Sequence, residues 1–427
     1  MQLNRVKSYI FPIILISSIL SGGIAGCFFG EQVQRLKPLG DIFLNLIFTA
    51  IVPLIFFSVS SAVSRVGSFK KLGTLFLYMT MVFIFTGTVA SLSAMVIVKI
   101  FPLAQDIYIP LVMHETHSTI TLSNQFTNIF TVPEFSKLLS HEHMLALIVF
   151  SLLVGIAIST LKEKHVLHRF LQSGEELIMR IFTLIMYYAP IGFFAYFAVL
   201  ISDLGPKLMQ SYVRVAVIYY VFGLCYFFIA YTVYAYLSGK IVGVKLFWKN
   251  VFLPMITAVA TCSSAASIPA NIAATKKMRV LPEVYETTIP LGSIIHKDGS
   301  VIGGVFKIAF LFCIFHLNFS GVTVLLTALT VSLMVGTVMG AIPSGGMLGE
   351  LLILSLYGFP PSALFIIAAI SIIIDPLATM LNVTGNSVSS MMIARMIGGK
   401  NWLAEEPALN TINSRPINKI SYIKRKN

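Results

Sequence analysis

Three ionisable side chains follow one another in GSIIHKDGS: His296, Lys297 and Asp298 lie within Ile289 to Phe315, which is otherwise mostly apolar. In a bilayer, each such group costs about 2.5–3.5 kcal/mol on insertion scales. A chain that keeps them there uses them to hold a charged solute, an ion or a proton. A second group, in DPLATMLNVTGN, offers Asp375, Thr379, Asn382 and Asn386. The stretch TCSSAASIP offers Ser263 and Ser264 beside Cys262, and GAIPSGG offers Pro343 and Gly346. Hydroxyl and backbone N–H donors suit a carboxylate, and a single Asp suits an ammonium. Asp375 has a second reading as the cap of a helix opened by Pro376, because Asp-Pro is a good helix start.

The chemistry points away from catalysis. No GxSxG, HExxH or Cys/His pairing is present, and Cys27, Cys225, Cys262 and Cys313 are scattered through apolar surroundings. His141 and His143 in SHEHM are two residues apart with no third ligand, so they read as a solvated loop. Neither a cofactor nor a resident metal is called for, although an ion such as Na⁺ or H⁺ would suit these groups.

These residues need a frame. With 427 residues, 57% hydrophobic and 11% charged, the chain has too few polar side chains to cover a soluble globule of its size. An all-α polytopic membrane protein is predicted. The net charge of +13 comes in short clusters between apolar runs, with no basic face interleaved with aromatics, so no nucleic-acid partner is expected. About 20 apolar residues cross the hydrocarbon, and the spans predicted are 9–30, 40–64, 72–102, 143–161, 174–202 and 212–238. Lys and Arg recur at every second boundary, at Arg5 and Lys7, Arg65 to Lys71, Lys162 to Arg169 and Lys240 to Lys249, which places those ends in the cytoplasm. The polar stretch 103–142 reads as an outside loop leading into the fourth span, and the basic tail 401–427 as cytoplasmic, near anionic lipid heads. MQLNRVK, an apolar run and IAGC imitate a lipoprotein leader ending at Cys27, but the apolar run continues through Phe29, so a retained helix is expected.

The last 180 residues divide differently. The apolar run 251–275 is broken by TCSSAASIP and the run 321–359 by GAIPSGG, each reading as helix, small-residue tip, helix. Two corresponding interrupted segments, each followed by a span that is itself interrupted, point to a transporter built from inverted repeats with two re-entrant hairpins.

Six motifs in order then carry a resemblance. TVPEFSKLL and the span after it, YYAPIGFFA, SSAASIP, PLGSIIHKDGS, GAIPSGG and DPLATMLNVTGN are similar to the dicarboxylate/amino acid:cation symporters, the glutamate transporter homologues, over nearly the whole chain. The resemblance implies eight transmembrane helices, two hairpins and a homotrimer with an elevator-type mechanism. A scaffold would comprise 1–70 and 143–204, and a mobile transport domain 71–102 and 205–400. It implies that Ser263, Ser264 and Asn382 meet a substrate carboxylate and Asp375 its ammonium, with Ser300, Thr379, Pro343 and Gly346 completing the site.

Departures from the family pattern shape the expectation. Where acid-specific members place an Arg, this chain has Ala378, and the other Arg position is Cys262. A small neutral amino acid is therefore the predicted substrate, with proton- or sodium-coupled transport of glutamate, aspartate or another dicarboxylate as the alternative, in which Lys297 supplies the missing cation. The family's sodium cage falls on His296, Lys297, Asp298 and Asn386, with Phe83, Thr86 and Gly87 on the third helix. Any sodium left would rest on Asp298 and Asn382. Lys297, and with it His296, is expected to replace a sodium with Asp298 as counter-ion, giving altered or absent sodium coupling; the alternative is a Lys297 that snorkels to water. Gly304 stands where proton-coupled members have a Glu, and Glu350 is the acid that replaces it, or else a hairpin residue facing water. The reading places the chain in the plasma membrane, the inner membrane of a bacterium.

Overall fold

The computed structural model describes residues 2–65, 69–104, 131–140, 143–161, 164–205, 207–338, 346–399 and 402–403. Pro343, most of the 103–142 loop and nearly all of the 401–427 tail lie outside them. The described residues are helical, with no strand among them. Their helices are α1 Gln2–Phe29, α2 Lys37–Arg65, α3 Phe69–Ile100, the short α4 Phe135–Leu138, α5 Met144–Thr160, α6 Lys164–Leu204 and α7 Lys207–Asn250. The second half adds α8 Phe252–Thr261, α9 Ile268–Lys277, α10 Pro282–Ile295, α11 Asp298–Ile314, α12 Val322–Val338, α13 Gly346–Tyr357 and α14 Ala363–Gly398. Ile13–Ser61, which joins α1 and α2 through a 3-10 turn, and Gly73–Ile100, His165–Asp203, Lys207–Asn250 and Ala363–Gly398 are long and apolar enough to cross a membrane.

Small residues set the tightest packing. α6 lies against α1 and α2, and α5 lies against α2. A Cβ on Gly22 or Gly26 would strike the carbonyl oxygens of Phe194 and Ala198, so α1 and α6 touch backbone to backbone. This four-residue spacing of small residues is how helices associate closely where lipid offers no hydrophobic drive. The remaining long helices gather around α14, which packs on α3, α7, α8, α10 and α11, while α11 also packs on α12 and α3. α14 is buried almost all round from Ala363 to Ala394, the pattern of a helix inside a bundle. Where the two gatherings meet, Tyr196 of α6 stacks on Phe365 of α14 with ring centres 3.9 Å apart and donates to the Ser362 carbonyl at 2.5 Å.

Three breaks in the helices have visible causes. α7 kinks at Gly239 and Lys240, where φ of Lys240 is +52°, and the Trp402 indole donates to the Ser238 carbonyl beside the kink at 2.7 Å. α8 ends at Cys262, held in the left-handed region at φ +47°, a conformation that costs a non-glycine residue about 1–2 kcal/mol. α10 and α11 are separated by His296 and Lys297, both non-helical. The expected interruption at HKDG is therefore present. The expected break at Asp375 is absent: α14 runs unbroken through Pro376, so Asp375 caps no helix. Pro removes one N–H from the ladder, a loss that is tolerated in membrane helices where neighbouring groups or water satisfy the freed carbonyl.

Candidate functional site

The break between α10 and α11 delivers three side chains to three different places. His296 turns toward α3 and α14: its Nε2 lies 2.7 Å from Thr86 Oγ1 and its Nδ1 2.8 Å from Asn386 Oδ1, while its ring stacks on Phe83 at 4.3 Å between centres. An amide oxygen only accepts, so Nδ1 carries a proton. Asp298, at the start of α11, places Oδ1 3.2 Å from His296 Nε2 and Oδ2 3.4 Å from the Tyr231 hydroxyl. Tyr231 also donates to the Leu381 carbonyl at 2.7 Å. Asp298, His296, Thr86 and Asn386 are all buried, so an oxygen cage from α3, α11 and α14 closes around the imidazole.

Lys297 goes elsewhere. The expectation paired it with Asp298; the side chain found against Asp298 is that of His296, because adjacent residues at a helix start diverge. Lys297 is 8% exposed and does not snorkel to water. The carboxylate within its electrostatic reach is Asp375, on the middle of α14. Asp375 accepts from the Thr379 hydroxyl at 3.1 Å, one helical turn on. Cys262, at the first tip, feels the same carboxylate. Lys297, Asp375, Thr379 and Cys262 thus share one neighbourhood.

Ser300 and Asn382 form a third unit. The Ser300 N–H donates to Asn382 Oδ1 at 3.1 Å, and Asn382 Nδ2 donates to Ser300 Oγ at 3.0 Å. Gly299 permits this approach, since a Cβ there would collide with the Ala378 carbonyl. The buried Ala378 thereby meets α11 through its backbone. Ser263 Oγ accepts the Ala266 N–H at 3.2 Å within the first tip, and Ser264 is buried beside it. Gly346 opens α13 and is half-buried.

Two expectations about cations change. Asp298 and Asn382, named as a joint sodium site, have different partners, His296 and Ser300. The oxygens that would surround a sodium already surround a ring. At Gly87 of α3 a Cβ would press on Leu333 of α12. Glu350 does not face water: it is fully buried, with Oε1 3.5 Å from Lys307 Nζ and accepting from the Ser371 hydroxyl.

Lys307 is the charged residue that sequence reasoning passed over. It is buried on α11 and donates to Ser371 Oγ at 2.8 Å. The signal available was a lone lysine in VFKIAFLF, three residues beyond Gly304. Tyr231 was missed as well, and no spacing in the sequence ties it to Asp298.

Comparison with known proteins follows the same lines. A family model described as the sodium:dicarboxylate symporter family matches residues 11–396. A proton/sodium-glutamate symport protein of Bacillus caldotenax is 27% identical over 415 residues, covering 92% of this chain and 97% of that protein. The proton/glutamate-aspartate symporter of Escherichia coli (strain K12) is 24% identical over 376 residues, 85% of each chain. A C4-dicarboxylate transport protein of Solibacter usitatus is 24% identical over 432 residues, 95% of this chain and all of that one.

Proposed function

Because the chain belongs to the sodium:dicarboxylate symporter family, we propose that it is a cation-coupled symporter of an acidic substrate, an acidic amino acid or a C4-dicarboxylate. It is a multi-pass membrane protein, and its relatives are transporters, not enzymes. The observation that carries the reading is the opposed pair Lys297, which is buried, and Asp375, which is open to solvent on α14, within electrostatic reach of each other. Asp375 suits a substrate ammonium. Lys297 suits a side-chain carboxylate, the part that neither Ala378 nor Cys262 can take. The main carboxylate is left to the serine tip of Ser263 and Ser264 and to the Ser300–Asn382 unit. This replaces the neutral amino acid expected from Ala378 and Cys262 alone: the relatives' names support acidic substrates and give no support to a neutral one.

For the coupling ion the family description and the relatives' names include both sodium and protons. The filling of the Thr86–Asn386–Asp298 cage by His296 favours the proton, since sodium needs those oxygens for itself.

The rest of the reading concerns movement. α1, α2, α5 and α6 serve as scaffold; α3 and α7 to α14 serve as the transport unit, with α8–α9 and α12–α13 as its re-entrant hairpins. Supporting this division, each set packs mainly within itself. The assembly proposed is a homotrimer in the plasma membrane, the inner membrane if the cell is bacterial. Counterflow of radiolabelled L-glutamate in proteoliposomes tests the substrate: L-aspartate and succinate should compete, and competition by L-serine or L-alanine instead would return the neutral reading.

A further inference from the structure

The mechanism outlined above leaves one buried ion pair unused. Lys307 of α11 and Glu350 of α13 lie 3.5 Å apart, with Ser371 of α14 bonded to both. Among the described residues, Glu350 Oε2 is buried with no hydrogen-bond partner. A buried carboxylate oxygen left bare calls for an explanation. Ser371 stands one helical turn before Asp375, and Asp375 feels the charges of both Lys307 and Glu350. The pair therefore borders the substrate site without belonging to it.

Charge balance says what it can do. Lys297 and Asp375 cancel, as do Lys307 and Glu350. An acidic amino acid brings two carboxylates and one ammonium, one negative charge in excess. In a buried site that excess needs a compensating cation. A proton on Glu350 supplies one, because it leaves the Lys307 ammonium uncancelled beside Asp375. We infer that Lys307 and Glu350 form a proton-gated counter-charge: binding of an acidic substrate draws a proton onto Glu350, and Lys307 then offsets the substrate's excess negative charge.

The groups around Glu350 permit this. α11 presents Lys307, and α14 presents Ser371 with Asp375 beyond it. α12 and α5, which also pack with α13, carry no titratable side chain between Val322 and Val338 or between Met144 and Thr160. On α13 itself the remaining titratable group is Tyr357, about two turns away. The proton is moved, not consumed, so no other reactant is needed.

The inference rests on the acidic-substrate reading, and the test separates the two. L-aspartate is titrated into the purified full-length protein in weakly buffered detergent solution with a pH indicator, and protons taken up are counted per substrate bound. Wild type should take up one proton for each aspartate. Glu350→Gln should take up none per aspartate bound, and its aspartate affinity should no longer change with pH. The Lys307→Met/Glu350→Met variant, which replaces the pair by apolar side chains and guards against misfolding of the single variant, should also take up none and bind aspartate at least tenfold more weakly. Aspartate binding by wild type without proton uptake overturns the inference and leaves the substrate reading intact. Unchanged uptake per aspartate in either variant does the same. Failure of wild type to bind L-aspartate, L-glutamate or succinate overturns both.

Discussion

The Nδ1 atom of His296 lies 2.8 Å from Oδ1 of Asn386, which ties the break between α10 and α11 to the middle of α14. The same ring reaches Thr86 on α3 and Asp298 on α11. A side chain thus joins, from inside, the elements that a bound cation would join. That arrangement has a direct consequence for sodium.

Replacing the ring by a smaller amide should recreate a cation site. In His296→Asn, the oxygens of Thr86, Asn386 and Asp298 face the space that the ring leaves. Sodium should then stabilise the protein, by about 2.7 kcal/mol at a hundredfold excess over its Kd. Thermal unfolding in NaCl against choline chloride reads this out. The melting temperature of the variant should rise with sodium while that of the wild type stays still.

Asp375 is assigned to the substrate ammonium, and removing its charge should discriminate between substrates. A hydrogen bond to a charged group contributes about 1.5–3 kcal/mol, so Asp375→Asn should weaken L-aspartate binding by about 10- to 100-fold. Succinate has no ammonium and should be affected far less. Equal losses for both ligands, measured by calorimetric titration, would remove Asp375 from this role.

Lys297 is assigned to the side-chain carboxylate. Lys297→Met keeps the stem and removes the charge, and should cost L-glutamate about 10- to 100-fold in affinity. A neutral analogue such as L-glutamine should lose much less. A variant that binds glutamate as the wild type does would transfer the role to another group.

How much of this was legible in the sequence depends on what each signal rests on. Helix positions rest on apolar run length, and the six predicted spans coincide with α1, α2, α3, α5, α6 and α7. The break between α8 and α9 was visible because Ser and Pro interrupt an apolar run there. Side-chain direction was not visible. Lys297 and Asp298 are neighbours in sequence, yet Lys297 lies within electrostatic reach of Asp375 while Asp298 lies against His296, since the backbone becomes helical between them. Asp375 was open to misreading because Asp-Pro starts many helices, yet α14 runs through it unbroken. Lys307 was overlooked for a related reason. Its partner Glu350 is 43 residues away, and no local pattern announces a pair at that distance.

The close approach of α1 to α6 gives a stability prediction independent of transport. Gly26 meets the Ala198 carbonyl with no space for a side chain, whereas Gly73 has nothing within 4 Å. Gly26→Leu should cost about 1–3 kcal/mol or more through forced backbone displacement, seen as a lower melting temperature in detergent. Gly73→Ala should leave the melting temperature within about a degree of wild type, or raise it slightly through helix propensity.

The central claim is coupled uptake of an acidic substrate, and it is tested by measuring radiolabelled L-glutamate accumulation in proteoliposomes with H⁺ and Na⁺ gradients imposed separately. An inwardly directed proton gradient alone should drive accumulation above equilibrium, with little added by sodium, as the His296-filled cage requires. Accumulation driven by sodium alone, or accumulation of L-serine but not L-glutamate under either gradient, would contradict the account.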